Sequence, residues 1–270
     1  MKLLKLIPCG LSAILLLVSG CSTPKKTAGP IRALMITGGC CHDYEQQKKI
    51  LSEGISARAN VTWTIIHEGG SEKEGIKDTE FSIYKKPDWI KQFDVVVHNE
   101  CSGKVTNVDW VEAIAKAHVS SGIPAVVIHC SMHSYREAKT DAWRELLGVT
   151  SMRHQTRRAF DVVTVHPENP IMKGWPVEWH DSSDELYEIL KVWPNCTPLA
   201  KSITPVKPNT QHPCIWINTD GKCRVFGTTL GHLDETMQKD EYLGLITRGL
   251  LWACDKLDEN GKPKAGYEKK

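Results

Sequence analysis

Pro124-Ala125-Val126-Val127-Ile128-His129-Cys130-Ser131-Met132-His133 is an apolar run that stops on a histidine. A short, uninterrupted apolar run of this kind is typical of a strand that is buried on both faces of a parallel sheet. In open α/β sheets, ligands bind beyond the carboxyl ends of the strands. The stretch therefore predicts an α/β fold, with His129 and His133 as candidate site residues at the end of one strand.

Similar strand patterns alternate with helical spacing on both sides of this stretch, which predicts a mostly parallel sheet with helices on both faces. The predicted strands cover residues 31–37, 61–66, 93–97, 124–128 and 159–165, and the predicted helices cover residues 43–59, 108–119, 134–147 and 241–254. Residues 69–88 read as a long loop. Residues 213–218 and 222–229 flank Thr219-Asp220-Gly221, a turn signal that predicts a C-terminal β-hairpin.

The first 30 residues have the composition of a targeting segment. Lys2 and Lys5 precede an apolar run over residues 6–18, which is shorter than a spanning helix requires. Val18-Ser19-Gly20-Cys21 resembles a bacterial lipobox, which predicts a signal peptide over residues 1–21 and lipidation of Cys21. The alternatives are a simple signal peptide or an uncleaved helix. We expect an envelope-facing protein that is held at the membrane only by this lipid.

The rest of the chain divides simply. Residues 22–30 read as a tether, residues 31–256 as one domain, and residues 257–270 as a charged tail that frays. Of the 34 Lys and Arg, only Lys2 and Lys5 lie in the signal, so the remainder carries 32 basic and 32 acidic residues. This balance does not predict a nucleic-acid partner, because such a partner requires a basic surface.

Cysteines are numerous, but their spacing does not indicate a zinc ribbon. The sequence has 10 of them and contains no CxxC pair. Export would permit disulfides. Cys40, Cys130 and Cys254, however, lie in segments that read as core or as walls of a site, so we predict mostly free, buried thiols.

Two further clusters of polar residues follow predicted strands. Gly38-Gly39 permits close approach of a backbone or an anion near His42, and Asp43 is a candidate N-cap of the next helix. The spacing is not the GxGxxG of a dinucleotide site. His98-Asn99-Glu100-Cys101 is either a polar loop or a ligand contact through Asn99.

Cys130 and the region near Glu185 each allow two interpretations. A cysteine beside a histidine can be a nucleophile, but Cys130 lacks the flanking glycines of an exposed elbow and also reads as a core thiol. His180-Asp181-Ser182-Ser183-Asp184-Glu185 is either a solvated loop, with Asp184 as a cap, or the source of a general base. Trp175 and Trp179 precede it, as a sugar platform or as core.

Histidines end four of the apolar segments: His42, His98, His129 and His232, the last after Gly231. Neutral imidazoles suit acid–base catalysis near neutral pH or a divalent metal such as Zn²⁺, with a carboxylate as a further ligand. No HExxH motif is present, so the sequence offers a metal site only as a hypothesis.

Read in order, these segments resemble the ThuA-like (trehalose-utilisation) family, whose fold is like that of class I glutamine amidotransferases. The segments that carry the resemblance are residues 33–39 with His42-Asp43, 93–97, 126–129, 165–171 followed by Gly174, 184–187, 224–232 and 248–253. The resemblance implies a flavodoxin-like sheet, a role in carbohydrate utilisation that includes oxidised (keto) disaccharides, and a functional Glu185.

The resemblance also bears on amidotransferase activity. In the amidotransferases a nucleophilic cysteine ends the strand that corresponds to residues 124–128. In that register His129 takes the place of the cysteine, and Cys130 comes one residue late. A shift of one residue at a strand end turns the side chain to the other face. We therefore predict that the protein is not a glutamine amidotransferase.

Two hypotheses for function remain open. The first is a lipid-anchored hydrolase, isomerase or lyase on a sugar or keto-sugar, in which His129, His42, His232 and Glu185 are catalytic or bind a metal and Gly38, Gly39, His133 and Asn99 contact the substrate. The second is a non-catalytic sugar-binding lipoprotein on the same fold. Turnover of a sugar would distinguish the two.

Overall fold

The computed structural model describes residues 29–203 and 211–270. The predicted signal peptide, Cys21 and most of the tether lie outside these residues. The helices are α1 (Tyr44–Ser56), α2 (Val108–Ser121), α3 (Ala142–Leu147), α4 (Asp234–Met237) and α5 (Asp240–Ala253). No helix in the described ranges has the length and apolar character needed to cross a membrane.

The strands are β1 (Ile31–Gly39), β2 (Val61–Glu68), β3 (Val95–Cys101), β4 (Ala125–Ile128), β5 (Val149–His154), β6 (Arg158–Thr164), β7 (Glu178–Asp184), β8 (Tyr187–Val192), β9 (Cys196–Ile203), β10 (Gln211–Asp220) and β11 (Cys223–Thr228). Nine of them form one sheet in the order β2-β1-β3-β4-β11-β10-β9-β6-β7, and β5 pairs with β8 separately.

The sheet has a parallel half and an antiparallel half. Strands β2, β1, β3, β4 and β11 run parallel, and β10, β9, β6 and β7 continue the sheet with antiparallel pairing. The predicted fold class is thereby confirmed, including the β10–β11 hairpin. Because the parallel strands all point the same way, their carboxyl ends lie at one edge of the sheet.

Alternation of side chains along the strands produces two cores. Ala33 and Met35 of β1 face the cluster that includes α1 and α5, whereas Leu34 and Ile36 face the cluster that includes α2 and α3. Both faces of the parallel strands are therefore covered by helices, which explains the apolar runs at residues 33–36 of β1, 95–97 of β3 and throughout β4.

The predicted helix over residues 134–147 is wrong in its first half. Residues 129–133 form a 3₁₀ turn, and only Ala142–Leu147 is α-helical. Ser134 leaves helical geometry, because its hydroxyl donates to the carbonyl of Glu100 and accepts from the backbone N–H of Ser102. Tyr135 then takes a left-handed conformation with φ +62°.

The C-terminal segment, residues 257–270, is expected from the sequence to fray, but in the structure it packs against the domain. Leu257 is buried, Tyr267 packs against the core, and the carbonyl of Tyr267 accepts from the N–H of Asn60 at 2.9 Å. Isolated bridges join Leu257 to Pro263 and Ala59 to Glu268. The apolar residues that punctuate this charged segment anchor it to the domain.

Candidate active site at the carboxyl edge of the sheet

His129 lies at a sharp turn between β4 and the 3₁₀ turn of residues 129–133. Its φ is +45°, a left-handed conformation that is strained for a residue with a side chain and that is concentrated at functional sites. Its Nδ1 donates to the carbonyl of Thr229 at 2.6 Å. This hydrogen bond assigns a proton to Nδ1. Burial acts to lower the pKa of His129, but the carboxylates of Glu185 and Asp184 outweigh it and raise that pKa.

Three loops at the same edge bring partners to His129. His42 follows β1, Glu185 follows β7, and His232 follows β11. One donor atom from each of these four residues lies within 4.8 Å of the others. Glu185 Oε2 is 3.5 Å from His129 Nε2 and 3.3 Å from His232 Nδ1. We call these four residues the histidine–glutamate cluster.

The imidazoles of the cluster have buried nitrogens without hydrogen-bond partners. These atoms are both ring nitrogens of His42, Nε2 of His129 and Nδ1 of His232; the contacts to Glu185 are close but lack hydrogen-bond geometry. Buried polar atoms are normally satisfied, so each unpaired one requires an explanation. Here one ligand atom from each of the four side chains lies within 4.8 Å of the others.

Asp184 holds two of the loops together. It is fully buried, and its carboxylate accepts the N–H groups of Glu185 at 2.7 Å, Gly231 at 2.8 Å and His232 at 3.2 Å. Its Oδ1 is also 4.0 Å from Nδ1 of His129. Asp184 therefore positions Glu185 and His232 without lining the cavity itself.

Burial and neighbouring charges shift the pKa values of His42 and Glu185 in the cluster. Burial lowers the pKa of His42 well below its ordinary value, and the neighbouring His129 and His232 lower it further. Burial acts to raise the pKa of Glu185, but His129 and His232 outweigh it and hold that pKa well below the usual range. Near pH 7 the cluster therefore combines an ionised carboxylate with at least one neutral imidazole, that of His42, which has one free lone pair.

The cluster opens into a cavity of about 250 Å³. Glu185, His42 and His232 line it, together with His133 and His154. Burial lowers the pKa of His133 to about 2, so this imidazole stays neutral. It stacks on Tyr187 at 4.1 Å, and its Nε2 lies 2.9 Å from the Ser151 hydroxyl. His133 therefore lies at the wall of the cavity.

The predicted substrate contacts Gly38, Gly39 and Asn99 do not line the cavity. A Cβ on Gly38 would lie 1.9 Å from the carbonyl oxygen of Glu68, and one on Gly39 would lie 2.2 Å from that of Cys101. The two glycines thus permit close packing of neighbouring strands. Asn99 is buried and donates to Thr37 and Gln47 at 3.3 Å.

The cluster around His98 and Glu100 is part of the core. Nδ1 of His98 lies 3.0 Å from Glu100, and Nε2 lies 3.2 Å from His118. Burial lowers the pKa of His118 to about 3, and its Nδ1 lies 2.8 Å from the carbonyl of Ile123. β3 continues to Cys101, so His98 lies within the strand rather than at its predicted end, and these side chains satisfy one another in the interior. Trp175 and Trp179 likewise pack in the core rather than forming a sugar platform.

Cys130 lines the cavity, but it has the environment of a structural thiol. It packs with Cys40, Tyr44 and Cys101, and its interaction with Cys101, together with burial, raises its pKa well above the ordinary value. A protonated, buried thiol is a poor nucleophile. Cys40 and Cys41 form a disulfide between adjacent residues, an exception to the predicted free thiols, whereas the other six described cysteines are free.

Several residues near the cluster are not predicted from the sequence. The sequence indicates Asp184 only as a cap. His154 lies 3.5 Å from Glu185, but its strand, β5, lacks the apolar alternation that identifies strands. β7 has the composition of an acidic loop, yet Trp179, Asp181 and Asp184 point inward from it. Within the sequence of β7, the spacing of these three positions between more exposed residues is the one feature that indicates a strand.

Several proteins of known structure have a fold similar to that of this chain. The chain is similar to ThuA-like proteins of known structure from Parabacteroides merdae (TM-score 0.63, 16% identity, covering 89% of this chain and 98% of the other) and from Bacteroides uniformis (TM-score 0.61, 14% identity, covering 90% and 99%). A protein from Thermoplasma acidophilum that is assigned as part of a GMP synthase gives a TM-score of 0.52 at 14% identity, covering 84% of this chain and 96% of the other. These likenesses show the fold.

None of the curated proteins matches the sequence. The family model ThuA, described as trehalose utilisation, matches residues 32–253. This match spans the whole sheet, from the beginning of β1 to the end of α5, and it includes every member of the histidine–glutamate cluster. The chain therefore belongs to the ThuA family.

Proposed function

We propose that the protein is a metal-dependent enzyme that acts on a sugar or glycoside. The family description supports a carbohydrate-related role. Enzymatic activity is proposed on one observation: buried imidazole nitrogens that have no hydrogen-bond partner lie close to one another and to the carboxylate of Glu185. A cluster of this kind is costly to bury unless it binds something.

The cluster fits a divalent transition metal. Zn²⁺ binds imidazole nitrogens and carboxylate oxygens at 2.0–2.2 Å, so two ligands of a tetrahedral site lie roughly 3.4 Å apart. Glu185 Oε2 already lies 3.5 Å from His129 Nε2 and 3.3 Å from His232 Nδ1. Metal ligands are commonly oriented by hydrogen bonds to residues that do not bind the metal. Here His129 Nδ1 is hydrogen-bonded to the carbonyl of Thr229, and the backbone N–H of His232 donates to Asp184.

The bound ion would supply Lewis acidity toward a carbonyl or hydroxyl oxygen of the sugar. His129, His232 and Glu185 would hold it, and the lone pair of the neutral His42 would complete the set. His154, at 3.5 Å from Glu185 and partly exposed to the cavity, is placed to exchange protons with solvent. Hydrolysis of a glycoside and enolisation beside a keto group both use such groups.

Metal analysis combined with a substrate screen tests this proposal. We expect the purified mature protein to contain about one divalent ion per chain, to release product from native or 3-keto disaccharides, and to lose activity reversibly on chelation. Absence of metal would overturn the metal site. Saturable sugar binding without product on prolonged incubation would favour the non-catalytic binding protein instead.

We further propose that the protein faces the cell envelope and is anchored through a lipid on Cys21. The basic start, the apolar run and the Val18-Ser19-Gly20-Cys21 ending support this location. Cys21→Ala is expected to move the protein from the membrane fraction to the soluble fraction, or to leave it unprocessed. An unchanged distribution, with no lipid detected on Cys21 by mass spectrometry, would contradict the anchor.

A further inference from the structure

The cavity beside the histidine–glutamate cluster has a positively charged wall. Lys77, Lys104 and Arg136 line it, and Glu185, which already contacts three imidazoles, is the only acidic lining residue among those that the structure describes. No ion pair among residues 29–203 and 211–270 includes any of the three cations. The remainder of the chain after the signal is balanced at 32 basic and 32 acidic residues, so this excess is local.

Backbone contacts hold the wall in place. The N–H of Lys104 donates to the carbonyl of Lys77 at 2.8 Å, which sets the two lysines side by side. Arg136 crosses over Gly103, where a Cβ would lie 3.3 Å from its Nε. The one described side-chain hydrogen bond of Arg136 runs from Nη1 to the carbonyl of Met152 at 3.4 Å, so most guanidinium N–H groups remain available.

An adjoining groove, which shares His42 and His232 with the cavity, is mostly acidic. Four carboxylates and one cation line it, namely Asp43, Glu72, Asp234, Glu235 and Lys73. The asymmetry gives the site a direction, because an anionic group is attracted to the cavity side and repelled from the groove side. A neutral sugar would make no use of it.

We propose that the substrate carries an anionic group, a carboxylate or a phosphate, that binds to Lys104 and Arg136 while the reacting end of the sugar meets the histidine–glutamate cluster. A guanidinium binds either anion in a two-pronged geometry, and an ammonium adds a point charge. The volume of about 250 Å³ limits the enclosed part to a unit about the size of one sugar ring. This inference refines the proposed function by giving the substrate class.

Binding to the full-length, as-purified protein tests the inference without requiring turnover. The probes are glucose, glucuronate and glucose 6-phosphate, measured by calorimetry. We expect at least one anionic probe to bind 10-fold or more tightly than glucose, in the manner of charge-assisted recognition (about 1.4 kcal/mol per factor of 10). The tighter of the two anions identifies whether carboxylate or phosphate is recognised.

The variants Lys104→Gln and Arg136→Gln leave all four cluster residues intact. Each is expected to weaken the preferred anion about 10-fold and to leave glucose unchanged, whereas Lys116→Gln, an exposed lysine of α2, should change neither. Equal affinity for all three probes, or equal weakening of all three in the variants, would overturn the inference. Failure of the proposed metal chemistry would be distinguishable, because the protein would then lack metal or show no turnover but would still prefer the anionic probes.

Discussion

Replacing Glu185 with Gln is expected to abolish turnover while the fold survives. Gln has nearly the same shape but lacks the charge that holds His129 and His232 at 3.5 and 3.3 Å. We expect a fall in kcat/KM of about 100- to 10,000-fold, the range for loss of an acid–base group, and a parallel loss of bound metal. The side chain of Glu185 is only 13% exposed, but Gln preserves its size, so the variant should stay folded with a loss of about 1–3 kcal/mol in the free energy of unfolding.

His129→Ala provides the second arm of this experiment. It removes the ring at the strained turn after β4, so both metal content and turnover should fall as they do in Glu185→Gln. Cys130→Ala is the matched control, because it alters the next residue of the same turn, and activity should persist there. Full activity in both Glu185→Gln and His129→Ala would contradict the proposed site, and inactivity of Cys130→Ala alone would restore the cysteine nucleophile.

The parallel half of the fold was predictable because its buried strands are visible as apolar runs within single short segments of sequence. Strands covered on both faces carry continuous apolar runs, and residues 33–36 of β1, 95–97 of β3 and all of β4 show this directly. Each one ends where its backbone leaves the sheet, so His42 and His129 could be placed at one edge from their positions alone. His232 was found by the same argument at the end of the hairpin.

The antiparallel half was harder to predict, for an equally physical reason. In β7 the inward positions are occupied by Trp179, Asp181 and Asp184, and two of these three carry charge. Their burial depends on partners that are distant in sequence, such as the Thr236 hydroxyl and the Gly231 N–H. A pattern in one segment cannot reveal those partners. The same limit explains why Gly38 and Gly39 resembled a ligand loop, although it is the neighbouring strands that fill the space beside them.

Asp184→Asn is expected to lower stability and to impair the site together. The carboxylate of Asp184 accepts three N–H groups, with Gly231 on Oδ2 and Glu185 and His232 on Oδ1. An amide in its place must turn an NH₂ group toward at least one of these donors. The resulting buried mismatch should cost about 2–3 kcal/mol in the free energy of unfolding. Displacement of Glu185 and His232 should weaken metal affinity by about 10- to 100-fold, as for other outer contacts of metal ligands.

Asp181→Asn separates the two effects, because Asp181 lies on the same strand and is equally buried. Its carboxylate accepts from the N–H of Ser183 at 3.0 Å and from the Thr236 hydroxyl at 2.9 Å, and neither partner belongs to the histidine–glutamate cluster. The Thr236 hydroxyl can also accept from an amide NH₂, so Asp181→Asn should lose less stability than Asp184→Asn. Chemical denaturation measures this difference, and metal titration should show a loss of metal affinity in Asp184→Asn alone. If the two variants weaken metal binding equally, Asp184 supports only the fold. If Asp184→Asn alone weakens it, the buried carboxylate positions the loops that form the site.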